Sequence, residues 1–142
     1  MNEIELTNSI RKNVEMGIDG IKMVRQYVKK DDLASEMDDQ MREYQDIHQK
    51  ASGMLEGYGG KAKDVPTLTK LSAETMGVIK NLSDTSDEKI AEDMVRSTTT
   101  GYAKLTRELG QYQGSDDALR AFTEMVIATE EQNCEKMKKF LK

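Results

Sequence analysis

Apolar residues recur every three or four positions along almost the whole chain, and this spacing constrains the fold more than any other feature. One face of an α-helix repeats at this spacing, whereas one face of a β-strand repeats every two residues. Aromatic residues that favour strands are scarce, since the chain has two phenylalanines and no tryptophan. Proline, which interrupts helices, occurs once, at Pro66. The pattern therefore predicts an all-α chain.

The apolar pattern falls into segments that are separated by polar or glycine-rich breaks. The most regular stripe lies in the second segment and consists of Leu33, Met37, Met41, Tyr44, His48, Ala51, Leu55 and Tyr58. The predicted helices span about residues 3–29, 33–56, 67–82, 86–110 and 116–141. Thr85 and Glu88 have the spacing of a capping box before the fourth of these helices, and Ser115 is the expected N-cap of the fifth.

The lengths of the connections predict the topology. Short breaks join the first two long helices and the last two, so we expect each pair to form an antiparallel hairpin. The connection between the two pairs is far longer and carries the short predicted helix 67–82. A four-helix bundle with one long crossover is the ferritin-like, up-down arrangement. We therefore expect residues 1–142 to form a single domain of that kind.

Composition excludes several classes of function. The net charge of −5 comes from 21 basic and 26 acidic residues spread along the chain, so no basic stripe is present and we expect no nucleic-acid partner. No apolar run reaches the ~20 residues that span a bilayer, and the start of the chain lacks the features of a signal peptide. The single cysteine, Cys134, cannot form an internal disulfide. These features predict a cytoplasmic protein that does not enter a membrane.

Two stretches resemble the metal-binding helices of ferritin-like proteins such as rubrerythrins: REYQDIHQKA at 42–51 and TEEQNCEKM at 129–137. A weaker likeness lies in STTTGYAKL, 97–105. The tracts KIAEDMVRSTTTGYAKL and NVEMGIDGIK also resemble uncharacterised helical proteins of Gram-positive anaerobic bacteria. The resemblance implies a ferritin-like fold with a degenerate di-iron site, and it implies no activity.

A di-iron site needs roughly six ligands, with a carboxylate from each of four helices and a histidine from two of them. The spacing of Glu130 and Asn133 matches the Glu-x-x-His motif, but asparagine replaces the histidine, and Gln45 stands three residues before His48. The first and third long helices place no carboxylate on their inner faces, and Glu15 of the first is expected on its flank. His48 and Glu130 are thus the two remaining candidate ligands, and we expect no bound metal or cofactor. We expect instead a polar core cluster that contains Tyr44, His48, Thr98, Tyr102, Glu130 and Asn133.

Three functions stay open. The first is a non-catalytic ferritin-like bundle with a structural, regulatory or partner-binding role. The second is an oxidoreductase or metal-binding protein with a reduced metal site, and the third is a helical module that senses a small molecule. Hydrolase chemistry of the Ser/His/Asp type has no support, because the chain has one histidine and no nucleophile turn.

The first helix carries a second apolar face, formed by Met16, Gly20, Met23 and Tyr27. The outer face of a bundle helix is ordinarily polar. Two explanations are open: the crossover helix 67–82 covers this face, or the face pairs with its copy in a homodimer, where Gly20 would let the backbones approach.

Overall fold

The computed structural model describes residues 1–62 and 84–141, and within these ranges it contains α-helices and no strand. The four α-helices are α1 (Glu3–Val24), α2 (Asp31–Gly57), α3 (Asp87–Gln111) and α4 (Asp117–Lys138), and a 3₁₀ turn (Arg25–Tyr27) follows α1. The predicted all-α class is confirmed for these residues. The predicted short helix 67–82 lies outside them.

The first helix ends earlier than the sequence indicates. The apolar pattern predicts a helix to about residue 29, but α1 ends at Val24 and Val28 is extended. The N–H groups of Lys29 and Lys30 donate to the carboxylate of Asp87, each at 2.9 Å, instead of to helix carbonyls. A carboxylate on α3 therefore binds the connection that follows the end of α1.

The caps of three helices differ from the predicted ones or were not predicted. Asn2 caps α1 in a capping box, since its side chain accepts from the Glu5 N–H and the Glu5 carboxylate accepts from the Asn2 N–H. Ser86, not Thr85, caps α3 through the Lys89 N–H. Asp116, not Ser115, caps α4 through the Leu119 N–H. In both corrected cases a neighbouring side chain of similar chemistry takes the capping position.

The core consists of apolar side chains from all four helices. They include Leu6, Ile10, Val14 and Ile21 of α1, Leu33, Met37, Tyr44, Ile47 and Ala51 of α2, Ile90, Ala91, Met94 and Leu105 of α3, and Leu119, Val126 and Met137 of α4. Each Val, Leu, Ile or Met side chain of this set contributes about 1.5–3 kcal/mol when it leaves water. Ile18 of α1 and the predicted stripe residues Met41 and Tyr58 pack against this core while partly exposed. Burial of these stripes is what holds the helices together.

Contacts between helices give their relative directions. Asn13 reaches Gly101 while Lys29 reaches Asp87, so α1 and α3 are antiparallel. The side chains of Asn133 and Tyr44 meet, and Tyr58 donates to Asp116, so α2 and α4 are antiparallel as well. Short connections also make α1 antiparallel to α2 and α3 antiparallel to α4. The end of α2 and the start of α3 consequently lie at opposite ends of the bundle.

None of the helices in the described ranges combines the length and apolar character needed to cross a membrane.

Candidate functional site

A layer of polar groups crosses the apolar core, and every helix contributes to it. We call it the central layer and define it as Asn13 of α1, Tyr44 of α2, Gly101 of α3, and Glu130 and Asn133 of α4. The Asn13 amide donates to the Gly101 carbonyl at 2.9 Å. The Asn133 amide donates to the Tyr44 hydroxyl at 3.2 Å. The two hydrogen bonds connect α1 with α3 and α2 with α4.

Glycines make room for these polar side chains. A Cβ on Gly101 would stand 3.1 Å from Asn13 Nδ2 and 3.5 Å from Glu130 Oε1, so both groups lie directly against the α3 backbone. A Cβ on Gly17 would stand 3.2 Å from the Tyr44 ring, which therefore packs on the backbone of α1. Helices approach this closely only where a side chain is missing from one of them.

Glu130 is the carboxylate of the central layer. It is 4% exposed, and its Oε2 has no hydrogen-bond partner among the described residues. Burial raises the pKa of this carboxyl to about 8, because removal from water disfavours the charged form. Burial also raises the pKa of the Tyr44 hydroxyl, and the Glu130 charge raises it further.

Several buried oxygens of the layer have no donor. Asn13 Oδ1 and Asn133 Oδ1 are both buried without a partner in the part of the chain that the structure describes, as is Glu130 Oε2. Asn133 itself is 1% exposed. Buried polar atoms are nearly always hydrogen-bonded, so three unpaired acceptors in one layer are unusual. These three oxygens can each accept a further hydrogen bond.

His48 lies at the surface between α1 and α2. Its Nε2 donates to Glu15 Oε1 at 2.5 Å, and its side chain is 30% exposed. Arg11 binds the same carboxylate oxygen at 3.2 Å and donates to Ser52 as well. No hydrogen bond within the described ranges joins His48 to Glu130. The other two predicted members, Thr98 and Tyr102, are partly exposed on α3.

The structure therefore separates the predicted cluster into two groups. It brings Tyr44 and Asn133 together beside Glu130, whereas His48 belongs to a network with Glu15 and Arg11. The sequence placed Glu15 on the flank of the first helix and did not identify it as the partner of His48. The four-residue spacing of Arg11 and Glu15 is the one signal that could have indicated this network.

The structure also buries polar and thiol groups that the sequence patterns did not indicate. Asn13 is absent from the predicted cluster, because a polar residue beside an apolar stripe carries no mark of burial in sequence. Glu108 of α3 is buried, accepts from the Ser9 hydroxyl and leaves its Oε1 without a partner among the described residues. Cys134 is buried beside Thr99 and the Val95 carbonyl, and burial raises the pKa of its thiol. A raised pKa opposes a reactive thiolate.

The central layer does not fit a di-metal centre. Its donor groups are two amides, a phenol and one carboxylate, and amides and phenols are poor substitutes for the carboxylates and imidazoles that iron or manganese prefer. Across residues 1–62 and 84–141, no three side chains of His, Cys, Asp or Glu come together as a group that could hold a metal ion. Among the residues that the structure describes, Glu130 therefore belongs to no group of side chains that could share a metal ion.

The apolar face of α1 is only partly exposed. Met16 is 45% exposed, whereas Met23 and Tyr27 pack against the core. A Cβ on Gly20 would meet no atom within 4 Å. The exposed apolar surface of this face is therefore centred on Met16.

Comparisons with known proteins identify the fold. No family model matches the chain, and no curated protein matches it. A crystal structure from Bacillus halodurans, provisionally described as a spore coat protein, is similar with a TM-score of 0.72 and 17% identity, over 96% of this chain and 84% of that one. A conserved hypothetical protein from Mycobacterium tuberculosis is similar with a TM-score of 0.70 and 12% identity, over 94% and 92% of the two chains. At these identities the likeness shows a shared helical fold.

Proposed function

We propose that this chain is a ferritin-like bundle that serves as a structural or partner-binding protein without metal-dependent chemistry. The helix directions support the ferritin-like part of the proposal. The neighbours α1 and α3 are antiparallel, as are α2 and α4. The long connection joins the end of α2 to the start of α3, and these lie at opposite ends of the bundle. This is the arrangement of a four-helix bundle with one long crossover.

The composition of the central layer is the observation that carries the functional part. In ferritin-like enzymes this level of the core holds the carboxylates and histidines that bind two metal ions. Here Tyr44, Asn13 and Asn133 fill the space around Glu130, and they bind one another and the backbone. Side chains that pack and hydrogen-bond in this way support a core that stabilises the bundle and does not perform catalysis.

The likeness to the Bacillus halodurans protein suggests the kind of structural role. That protein is provisionally described as a spore coat protein, and the similarity extends over 96% of the present chain. We propose that this chain likewise acts as a subunit of a protein assembly, made in the cytoplasm as a single domain. The partly exposed face around Met16 supports self-association with a second copy, since apolar side chains gain stability when they leave water.

Metal content and its effect on stability test this proposal. Protein purified without chelator is expected to contain no stoichiometric iron, manganese or zinc by elemental analysis. Its melting temperature is expected to stay the same after treatment with a chelator and after addition of each metal, because a ligand that binds only the native state adds stability by RT ln(1 + [L]/Kd).

A stoichiometric metal together with a lower melting temperature after chelation would refute the non-metal function and favour the metal-binding alternative. A matched variant locates any such site. Glu130→Gln should abolish binding if the metal lies in the central layer, whereas Glu15→Gln should abolish it if the metal lies beside His48.

A further inference from the structure

We propose that the Glu130 carboxyl is protonated in the native bundle and acts as a pH-dependent switch of core packing. In the neutral form it completes the central layer, and loss of its proton loosens the contact between the four helices. The proposal is independent of any role as an assembly subunit, because it concerns the state of the core alone.

Within residues 1–62 and 84–141, no cation lies close enough to Glu130 to offset the effect of burial on its carboxyl. The groups that α1 and α3 place against it, Asn13 and Gly101, are uncharged. The titratable group that α2 places beside it is the Tyr44 hydroxyl, on which the Glu43 charge also acts, and the one on α4 is the Cys134 thiol. Each of these either is neutral or carries a negative charge when ionised. An unpaired buried charge costs several kcal/mol, so the geometry favours a neutral carboxyl.

A protonated carboxyl also adds a donor to the layer. Its O–H group is a donor, whereas an ionised carboxylate can only accept. Asn133 lies one helical turn from Glu130, and the Asn13 amide and the Glu130 carboxyl lie against the same point of the α3 backbone. Asn133 Oδ1 and Asn13 Oδ1 are the acceptors without partners at these two places. Protonation therefore turns one of three competing acceptors into a donor.

Ionisation has the opposite effect on the same atoms. It would leave a negative charge beside unpaired oxygens from α1 and α4 at one level of the core. Repulsion between the carboxylate and these oxygens, together with hydration of the charge, would then separate the helices at this level. Burial raises the pKa of the carboxyl to about 8, which puts the change in mildly alkaline solution.

Two measurements on the whole chain test the switch. Infrared spectroscopy at neutral pH is expected to show the carbonyl band of a protonated carboxylic acid in the native protein, and the band should disappear in Glu130→Gln and persist in the control Glu131→Gln, which changes an exposed neighbour on α4. Thermal unfolding is expected to show a melting temperature that falls, relative to that of Glu130→Gln, by on the order of 10 °C between the ordinary carboxyl pKa of 4.5 and about pH 8, because the unfolded chain loses this proton first, and that levels off above pH 8.

The proposal is overturned if native protein lacks the carbonyl band at neutral pH, or if native protein and Glu130→Gln melt in parallel across this pH range. If Glu130→Gln fails to fold, the loss of the band from native protein on titration to alkaline pH decides. Disappearance of the carbonyl band together with faster amide hydrogen exchange in α1 and α4 supports the switch. Disappearance of the band without faster exchange contradicts it.

Discussion

The Tyr44 hydroxyl accepts a hydrogen bond from the buried amide of Asn133. Asn133 is 1% exposed, and its amide nitrogen donates to this hydroxyl at 3.2 Å while its oxygen has no donor in the described part of the chain. A buried donor that loses its acceptor costs more than the hydrogen bond itself contributes, because the donor is also kept from water. Removal of a single hydrogen-bonding atom from the central layer should therefore lower the stability of the fold.

Replacing Tyr44 with phenylalanine removes only this hydroxyl oxygen. We expect Tyr44→Phe to lower the free energy of unfolding by about 1–3 kcal/mol, the cost of an unpaired buried amide. Chemical denaturation with urea measures the change. The control Tyr102→Phe, at a partly exposed tyrosine of α3, is expected to change stability by less than about 0.5 kcal/mol. Equal effects of the two substitutions would contradict a specific role for the Tyr44–Asn133 hydrogen bond.

At the scale of the helices, sequence periodicity predicted where the long elements lie but not how they end. The apolar stripes depend on a spacing that only an α-helix satisfies, so they indicated all four helices of the described ranges. The ends depend on single hydrogen bonds. Thr85 and Ser86 are both capping residues by type, as are Ser115 and Asp116, and only the backbone geometry selects between neighbours.

The premature end of α1 depends on a residue that is distant in sequence. Asp87 opens α3, and its carboxylate accepts from two consecutive N–H groups of the connection between α1 and α2. No local pattern around Lys29 contains this information. The same contact fixes the α1–α2 hairpin to the start of α3, where a negative charge is also favoured by the helix dipole.

Replacing Asp87 with asparagine tests this contact and its dependence on pH. Burial alone would raise the pKa of Asp87, but the N–H groups of Lys29 and Lys30 outweigh burial and lower it. A carboxyl with a lowered native pKa stabilises the fold above its unfolded pKa of 3.8, and this contribution disappears as the pH falls through the native value. Asp87→Asn should therefore cost about 1 kcal/mol at neutral pH and progressively less in acid.

Urea denaturation of native protein and Asp87→Asn over a range of acidic and neutral pH measures this difference. Asp46→Asn is the matched control, since Asp46 is exposed on α2 and pairs only with Lys50. A difference between native protein and Asp87→Asn that stays constant down to pH values well below 3.8 would show that the charge of Asp87 does not hold the connection.

At the scale of the whole molecule, the relative lengths of the connections carried most of the predictable information. Short connections predicted the two hairpins, whose helices are adjacent in the structure. The composition of the central layer was predicted in part: Tyr44, Glu130 and Asn133 lie on apolar stripes, which marks them as inward-facing. His48 lies on such a stripe too, but its neighbour Ile47 takes the buried position and the ring turns towards Glu15. Stripe membership alone cannot resolve such a rotation about the helix axis.

The exposed apolar face of α1 around Met16 predicts that two copies of the chain associate. Met16 is the one large apolar side chain of α1 that is exposed, and Gly20, one turn further, has open space above it. Met23 and Tyr27 are unsuitable for a test of the interface because both pack against the core, so a charge there would destabilise the monomer. We expect native protein to sediment as a dimer and Met16→Glu to sediment as a folded monomer, since a charge buried between two copies costs more than the contact contributes. Met125→Glu, which alters a similarly exposed methionine of α4, should stay dimeric. Sedimentation of native protein as a monomer at high concentration, or of Met16→Glu as a dimer, would exclude this face as the interface.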